Sequence, residues 1–245
     1  MANKSLRYDR RANFRQSDTG SDYKTHRSHF DQDNEPLPWT PAPGSGNSKL
    51  KRTLDILGAV TGLILLMPLL LAISIAIKIT SRGPVIFRQE RYGLNGAVFT
   101  IYKFRTMYTH LGDGSGVEQT VCGDPRVTRV GSFLRKSNFD ELPQLVNVLK
   151  GEMSLVGPRP HVPGMLAAGQ DYEDFDSRYM NRHLVRPGIT GLAQVNGCRG
   201  ATTDPISARK RLEYDLEYQE RQSLLLDLKI IAQTISREFL HGNGY

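Results

Sequence analysis

One long apolar run dominates the pattern of hydrophobic and polar positions along the chain. Residues 56–77 read ILGAVTGLILLMPLLLAISIAI and contain no charged side chain. The run has roughly 22 residues, and a helix of about 20 apolar residues is long enough to cross the hydrocarbon core of a bilayer. The pattern therefore predicts a helix that enters a membrane.

Two features favour a helix that enters the membrane and returns to the same side. Pro68 lacks an N–H donor and clashes with the preceding turn, so we expect a break at Met67-Pro68. Lysine and arginine residues flank both ends of the run, and the tendency of these residues to stay on the cytoplasmic side places both ends there. On pattern alone, an ordinary spanning helix with a proline kink is an equal alternative.

Shorter patterns follow the apolar run. Two β-branched and aromatic stretches, residues 85–87 and 98–102, surround Asn95-Gly96 and predict a β-hairpin. Apolar positions at i, i+3, i+4 and i+7 predict a helix that Ser137 or Asn138 caps and Gly151 ends; they are Leu142, Leu145, Val146 and Leu149. Two more helical patterns occupy residues 206–222 and 223–242. The second is amphipathic, which suits either a membrane surface or a protein core.

Composition divides the chain into three parts. Residues 1–48 are polar and lack the apolar side chains that would offset the entropy of ordering, so they are predicted to be a disordered tail. Residues 49–80 form the predicted re-entrant membrane helix, and residues 81–245 form one domain of ordinary size. Cys122 and Cys198 lie far apart without metal-binding spacing, which indicates free thiols in a reducing compartment.

The positive charge of the chain indicates anionic partners. The 32 Lys and Arg residues exceed the 25 Asp and Glu residues, for a net charge of +7. The cations cluster near the apolar run and in an arginine-rich middle, and no nucleic-acid-binding module is recognisable. Anionic lipid and phosphorylated substrates therefore fit better than DNA or RNA. A basic nucleic-acid binder is the rival interpretation.

An acidic pair in the arginine-rich middle is the main candidate for chemistry. Asp140 and Glu141 fall in or just before the first turn of the predicted helix, where the helix dipole stabilises negative charge. Nearby cations could hold a diphosphate against the pair, as could Mg²⁺ bound by the two carboxylates. These cations are Arg126, Arg129, Arg135, Lys136 and Arg159. Without further observations, an Asp-Glu pair in a first turn more often complements the helix dipole than takes part in catalysis.

Lys103 and Arg105 form a second candidate group. They flank Phe104 just beyond the second predicted strand, near the expected membrane surface. Both could hold phosphates at the interface. Without further observations, a pair of surface cations whose side chains reach toward water is the simpler interpretation.

Several motifs closely resemble those of the bacterial sugar transferase family. They include Asp124-Pro125-Arg126, Asp140-Glu141-Leu142-Pro143-Gln144, Lys150-Gly151-Glu152-Met153-Ser154 and Gly157-Pro158-Arg159-Pro160. The resemblance covers nearly everything from Lys49 onward. Members of this family are monotopic phosphoglycosyl transferases, which move a sugar phosphate from a nucleotide sugar onto polyprenol phosphate.

The resemblance implies roles for individual residues. Asp140 matches the nucleophile that forms a covalent phosphosugar intermediate, and Glu141 matches the second acidic residue, which binds Mg²⁺ or poises the site. Arg135 matches a residue that holds phosphate, and Arg159 matches one associated with the phosphates of the nucleotide sugar. Arg186 is a further candidate phosphate ligand.

The resemblance also implies a fold, a location and a reaction. We expect an α/β domain on the cytoplasmic face of the bacterial inner membrane, with a re-entrant helix-break-helix, a small β-hairpin and several amphipathic helices at the interface. The family has Ser-Pro at the bend, whereas this chain has Met67-Pro68, which leaves one side-chain partner fewer for the freed carbonyls.

The expected reaction transfers hexose 1-phosphate from a UDP-sugar to undecaprenyl phosphate, releases UMP and initiates an exopolysaccharide repeat unit. The motifs look most like those of members that use UDP-glucose, with UDP-galactose as the close alternative. The same motifs would also suit a member that initiates O-antigen or capsule synthesis, or a non-catalytic membrane adaptor of polysaccharide assembly. Some members form dimers, so a homodimer is compatible with the resemblance.

Overall fold

The longest element is one apolar helix, α1 (Lys49–Thr80). A computed structural model describes residues 49–111 and 123–241, so the predicted tail at residues 1–48 lies outside the described residues. Helix α1 is continuous through Pro68, which removes one backbone donor without ending the helix. The predicted membrane-type helix is therefore present, whereas the break at Met67-Pro68 is not confirmed. By length and composition alone, α1 could cross a membrane.

Helix α1 has two faces of different character. On one face, Ala59 packs with Ile101 and Leu145, and Ile73 and Ile77 pack with other apolar side chains of the domain. The opposite face carries exposed apolar side chains that no described residue covers. The more exposed of these are Leu57, Ile64, Leu65, Met67, Leu71 and Ile79.

The predicted β-hairpin is confirmed. Strands β1 (Ile86–Tyr92) and β2 (Val98–Phe104) pair antiparallel over their full length, from Ile86 opposite Phe104 to Tyr92 opposite Val98. Asn95 and Gly96 both have positive φ in the connecting 3-10 turn. Because asparagine and glycine tolerate this left-handed conformation, the dipeptide identifies the turn correctly.

The acidic pair precedes a helix, but in a different local structure from the one expected. Helix α2 (Arg129–Lys136) is followed by a 3-10 turn at Phe139–Glu141, and α3 (Gln144–Lys150) begins only after Pro143. Neither predicted cap forms: Asn138 adopts φ 55° ahead of the 3-10 turn and makes no side-chain cap, and Ser137 ends α2 instead. Gly151 ends α3 with φ 86°, as predicted.

The rest of the domain consists of short strands and helices. The strands are β3 (Ser154–Val156), β4 (Leu166–Ala167), β5 (Gln170–Asp171) and β6 (Gly188–Thr190), and the helices are α4 (Tyr172–Phe175), α5 (Leu192–Val195), α6 (Pro205–Arg221) and α7 (Leu224–His241). Strand β3 pairs parallel with β6, and β4 pairs antiparallel with β5. Three two-stranded sheets thus form among the described residues, and the mixed α/β class is confirmed.

Helices α6 and α7 correspond to the two C-terminal helical patterns. Helix α6 buries Leu212 and Tyr218, and α7 buries Ile230. Leu225, at 79% exposure, and Leu228 lie on the outside of α7. Helix α7 therefore packs on the domain and also presents an apolar surface to its surroundings.

Buried polar contacts fasten the N-terminal end of α1 to the domain. Lys51 Nζ lies 2.7 Å from Asp227 Oδ2 on α7 and donates to the carbonyl of Val156 on β3. Asp55 accepts hydrogen bonds from the Ser154 hydroxyl and from the Leu155 N–H, each at 2.9 Å. These contacts fix strand β3 against α1, and β3 leads directly into Gly157-Pro158-Arg159.

Candidate active site

Four segments meet around the acidic pair. The 3-10 turn places Asp140 and Glu141 at 8% exposure each. Lys103 comes from the end of β2, Arg135 from the last turn of α2, and Arg159 from the loop after β3. The structure thus brings together five of the residues that sequence reasoning selected, from positions up to 56 apart in the numbering.

Glu141 is held by two cations. Lys103 Nζ donates to Oε1 at 2.7 Å, and Arg159 donates to both carboxylate oxygens, at 2.6 Å to Oε1 and 3.1 Å to Oε2. Burial alone would raise the pKa of Glu141, but the charges and hydrogen bonds of Arg159 and Lys103 hold that pKa well below its usual range. Glu141 is therefore ionised and immobilised at neutral pH.

Asp140 is in the opposite situation. Among the described residues, no group donates a hydrogen bond to its carboxylate. Burial raises the pKa of Asp140 to about 6, against the opposing effect of Lys103 and with a further increase from the charge of Glu141. Asp140 thus carries a mostly ionised carboxylate at neutral pH whose oxygen atoms are not engaged, as a nucleophile requires.

Arg135 and the Asp124–Arg126 pair border this cluster. Arg135 Nε donates to Thr106 Oγ1 at 2.9 Å, which directs the arginine from α2 toward the end of β2. Arg126 binds Asp124 through Nη2 at 2.7 Å. The hydrogen bond from Arg126 is the main reason that the pKa of Asp124 falls to about 2, and Arg135 adds to the effect. The guanidinium of Arg126 therefore already has a carboxylate partner.

Two predicted phosphate ligands bind backbone elsewhere. Arg105 donates from Nη2 to the carbonyl and hydroxyl oxygens of Ser81, at the C-terminal end of α1. Arg186 donates to the carbonyl of Gly151, at the C-terminal end of α3. The structure therefore does not bring Arg105 or Arg186 to the acidic pair, because each side chain satisfies carbonyl groups near a helix end.

Sequence reasoning missed Arg91. It lies on the same face of the hairpin as Lys103, since the register pairs Arg91 with Phe99 and Phe87 with Lys103. Its guanidinium donates to Gln89 and to the carbonyl of Pro160, next to Arg159. Burial and the charge of Arg159 lower the pKa of Arg91 to about 10. Strand alternation from Lys103 would have identified this residue.

The donor set fits a magnesium ion only in part. Mg²⁺ typically binds proteins through one or two carboxylates together with substrate phosphates. The carboxylate of Asp140 is available for this purpose, whereas both oxygens of Glu141 already accept hydrogen bonds from cations. Within residues 49–111 and 123–241, no group of three or more potential metal ligands occurs. Any Mg²⁺ would therefore rely on Asp140 and on phosphate oxygens.

Comparisons with known proteins point to one family. A family model described as bacterial sugar transferase matches residues 46–241. The exopolysaccharide production protein PSS of Rhizobium leguminosarum bv. phaseoli is 50% identical over 196 residues, which cover 80% of this chain and 98% of that protein.

Two other similar proteins are longer than this chain. The undecaprenyl-phosphate glucose phosphotransferase of Komagataeibacter xylinus is 49% identical over 195 residues, 80% of this chain and 37% of that protein. The UDP-glucose:undecaprenyl-phosphate glucose-1-phosphate transferase of Escherichia coli (strain K12) is 47% identical over 210 residues, 86% of this chain and 44% of that protein. The chain thus spans less than half the length of these two relatives.

Proposed function

Because this chain belongs to the bacterial sugar transferase family, we propose that it transfers glucose 1-phosphate from UDP-glucose to undecaprenyl phosphate and so initiates an exopolysaccharide repeat unit. The names of the relatives from Komagataeibacter xylinus and Escherichia coli support the donor and the acceptor. The name of the Rhizobium relative supports the exopolysaccharide product. The observation that carries the proposal is the unengaged carboxylate of Asp140 beside Lys103, Arg135 and Arg159.

The reaction proceeds in two displacements. An oxygen of Asp140 attacks the phosphorus atom that bears the sugar, the bond from that phosphorus to the oxygen bridging the two phosphates breaks, and UMP leaves with the electron pair. A phosphate oxygen of undecaprenyl phosphate then attacks the aspartyl phosphosugar and releases the Asp140 carboxylate. Covalent catalysis of this kind splits one transfer into two steps and gives ping-pong kinetics.

The cations around Asp140 stabilise the transferred group. Charge spreads over the phosphoryl oxygens in the transition state, and catalysis of phosphoryl transfer depends mainly on positioned positive charge. Arg135 and Lys103 are close enough to Asp140 that their charges oppose the rise in its pKa. Bound Mg²⁺ would further neutralise the donor phosphates, with Asp140 as its protein ligand.

Glu141 acts as a positioning residue. Its two oxygens fix Lys103 and Arg159, whose segments are separate in the fold. Without this carboxylate, two partly buried cations would face each other with no common counterion, and they would move apart. Glu141 therefore keeps the phosphate-binding groups in place while Asp140 forms the covalent bond.

The contacts of α1 support association with one side of a membrane. Lys51 near its start binds Asp227, and Ile77 near its end packs with Phe104 and Leu134 of the same domain. A helix that spans a bilayer has its ends on opposite sides of about 30 Å of hydrocarbon. A domain that contacts both ends of a spanning helix would itself have to enter the hydrocarbon. We therefore place α1 within one leaflet of the cytoplasmic membrane, with its exposed apolar face in lipid.

A UMP-release assay tests the proposed function. Purified protein is incubated with undecaprenyl phosphate and with UDP-glucose, UDP-galactose or a UDP-N-acetylhexosamine. We expect UMP release with UDP-glucose and its loss in Asp140→Asn, whereas the matched variant Asp174→Asn, on the exposed surface of α4, keeps full activity. Release that persists in Asp140→Asn would contradict the assigned nucleophile, and absence of release with every donor would favour a non-catalytic adaptor.

A further inference from the structure

A second cationic cavity lies at the C-terminal end of α1. Its volume is about 490 Å³. Lys78, Ser81 and Arg82 form one wall, and Tyr108 and His110, from the segment after β2, form another. Among the described residues, no acidic side chain lines the cavity, and none of the lining residues belongs to the cluster around Asp140. Lys78 and Arg82, the lysine and arginine that line this separate site, are both cationic.

The cations of this cavity have no carboxylate partner within the described part of the chain. Lys78 makes only a long contact of 3.5 Å to the carbonyl of Gly83, and Arg82 forms no ion pair there. Cations that protein carboxylates have not neutralised are available to an external anion.

A buried guanidinium group lies next to the cavity wall that contains Ser81. Arg105 is 5% exposed, and its Nη2 binds Ser81, which lines the cavity. Its other two nitrogen atoms, Nε and Nη1, are buried and have no hydrogen-bond partner. A buried charged donor without a partner is costly, so an anion next to this wall would be stabilised by the field of Arg105.

One edge of the cavity is apolar. Ile79 lines it and is 78% exposed, and Ile75 and Leu71 continue the same stripe along α1 at intervals of four residues. Side chains four residues apart lie one above the other on a helix face. A cationic cavity that opens onto an apolar stripe matches a ligand with an anionic head and a hydrocarbon tail.

We propose that this cavity binds the phosphate group of a membrane lipid, with the lipid chain lying along Leu71, Ile75 and Ile79. Arginine and lysine form charge-assisted hydrogen bonds with phosphate oxygens. The lipid phosphate has two sources, an anionic phospholipid and the polyprenyl phosphate acceptor. Binding of a phospholipid here goes beyond the proposed function, whereas binding of the acceptor rests on it; the cavity itself does not include Asp140.

Binding measurements on the intact protein test this site. Full-length protein in a neutral detergent is titrated with dioleoyl phosphatidylglycerol, with farnesyl phosphate and with dioleoyl phosphatidylcholine, and native mass spectrometry counts the bound lipid. The test variant is Lys78→Gln/Arg82→Gln. Both side chains are exposed, so the fold should tolerate the change. The matched control, Arg209→Gln/Lys210→Gln on α6, removes the same charge from another exposed surface.

The expected result is weaker binding of phosphate lipids, by about fivefold for each cation removed, with phosphatidylcholine unaffected. Selective loss of phosphatidylglycerol identifies a phospholipid site, and selective loss of farnesyl phosphate identifies an acceptor site. Equal affinities in the test variant and the parent protein, or an equal loss in the α6 control, would overturn the proposal. Because the measurement counts bound lipid and needs no turnover, failure here is distinguishable from failure of the proposed transfer reaction.

Discussion

At the scale of single residues, the site depends on two adjacent carboxylates in different surroundings. Glu141 accepts hydrogen bonds from Lys103 and Arg159, whereas Asp140 has no donor among the described residues. The same turn buries both residues to the same extent. The two carboxylates therefore differ in their hydrogen-bond partners and not in their exposure. One carboxylate organises the cations and the other remains available for reaction.

The raised pKa of Asp140 predicts how the rate of UMP release falls at acidic pH, the acid limb of the pH–rate profile. In the proposed mechanism the ionised carboxylate of Asp140 is the nucleophile. Because burial raises its pKa to about 6, the rate of UMP release should be constant well above that pH. Below it, the rate should fall by about tenfold per pH unit, because protonation removes the attacking electron pair. Initial rates from pH 4.5 to 8 without acceptor measure this limb. A flat profile down to pH 5 would contradict the assignment.

The variant Glu141→Gln distinguishes the positioning role of Glu141 from the covalent chemistry proposed for Asp140. Loss of the charge should reduce the rate of UMP release by at least about 100-fold, because Lys103 and Arg159 lose their common partner. The charge of Glu141 also raises the pKa of Asp140, so the acid limb should move to lower pH in the variant. A purely structural role would lower the rate without moving the limb, and an unchanged rate would refute the positioning role.

The sequence identified these carboxylates, and the resemblance implied a different role for each, but the contacts that distinguish them were not predictable. The dipeptide and its motif identify Asp140 and Glu141. Which of them is held depends on Lys103 and Arg159, which come from a hairpin and a loop that meet only in the folded chain. For the same reason, the local pattern could not show that Arg105 and Arg186 bind backbone carbonyls distant in sequence.

At the scale of elements, the hairpin followed from the sequence because its determinants are local. Asn95-Gly96 supplies the turn and β-branched and aromatic residues supply the strands. The predicted start of α3 was wrong because the 3-10 turn at Phe139–Glu141 packs against α2 and β2, where Phe139 contacts the cluster that contains Phe104 and Leu134. Helix propensity does not report such tertiary contacts.

Packing between α2 and the end of β2 predicts a sensitive glycine. A Cβ at Gly131 would overlap the backbone carbonyl of Thr106, which cannot move as a flexible side chain can. Gly131→Ala should therefore lower the unfolding free energy by about 1–3 kcal/mol, as overpacked substitutions do. It should also slow UMP release, because Thr106 holds Arg135.

The matched control for this variant is Ser132→Ala, at the next position of α2, where the side chain is exposed. Denaturant unfolding and initial rates on both variants provide the measurement. Equal stability and activity of the two would show that the contact between Gly131 and Thr106 is unimportant.

At the scale of the whole molecule, one apolar helix lies along a domain that carries the proposed catalytic groups. At about 1.5 Å per residue, α1 is roughly 48 Å long, and the domain contacts it near both ends. Its hydrophobic length was evident from the sequence. Its course relative to the membrane was not, because a spanning and a re-entrant helix have the same composition.

Accessibility from the two sides of the membrane tests the proposed placement. Single cysteines at Lys49→Cys and Arg82→Cys, in a protein whose Cys122 and Cys198 have been replaced by serine, should both react with a membrane-impermeant maleimide from the cytoplasmic side. Both positions are exposed on the protein surface. Labelling of the two positions from opposite sides would show that α1 spans the bilayer.

The intact mass of the protein, measured after incubation with UDP-glucose and without acceptor, is the direct test of Asp140 as the nucleophile. We expect a mass increase of one hexosyl phosphate group that maps to Asp140, is absent in Asp140→Asn and disappears when undecaprenyl phosphate is added. Turnover without any such adduct, together with activity that survives the loss of the Asp140 carboxylate, would contradict this assignment.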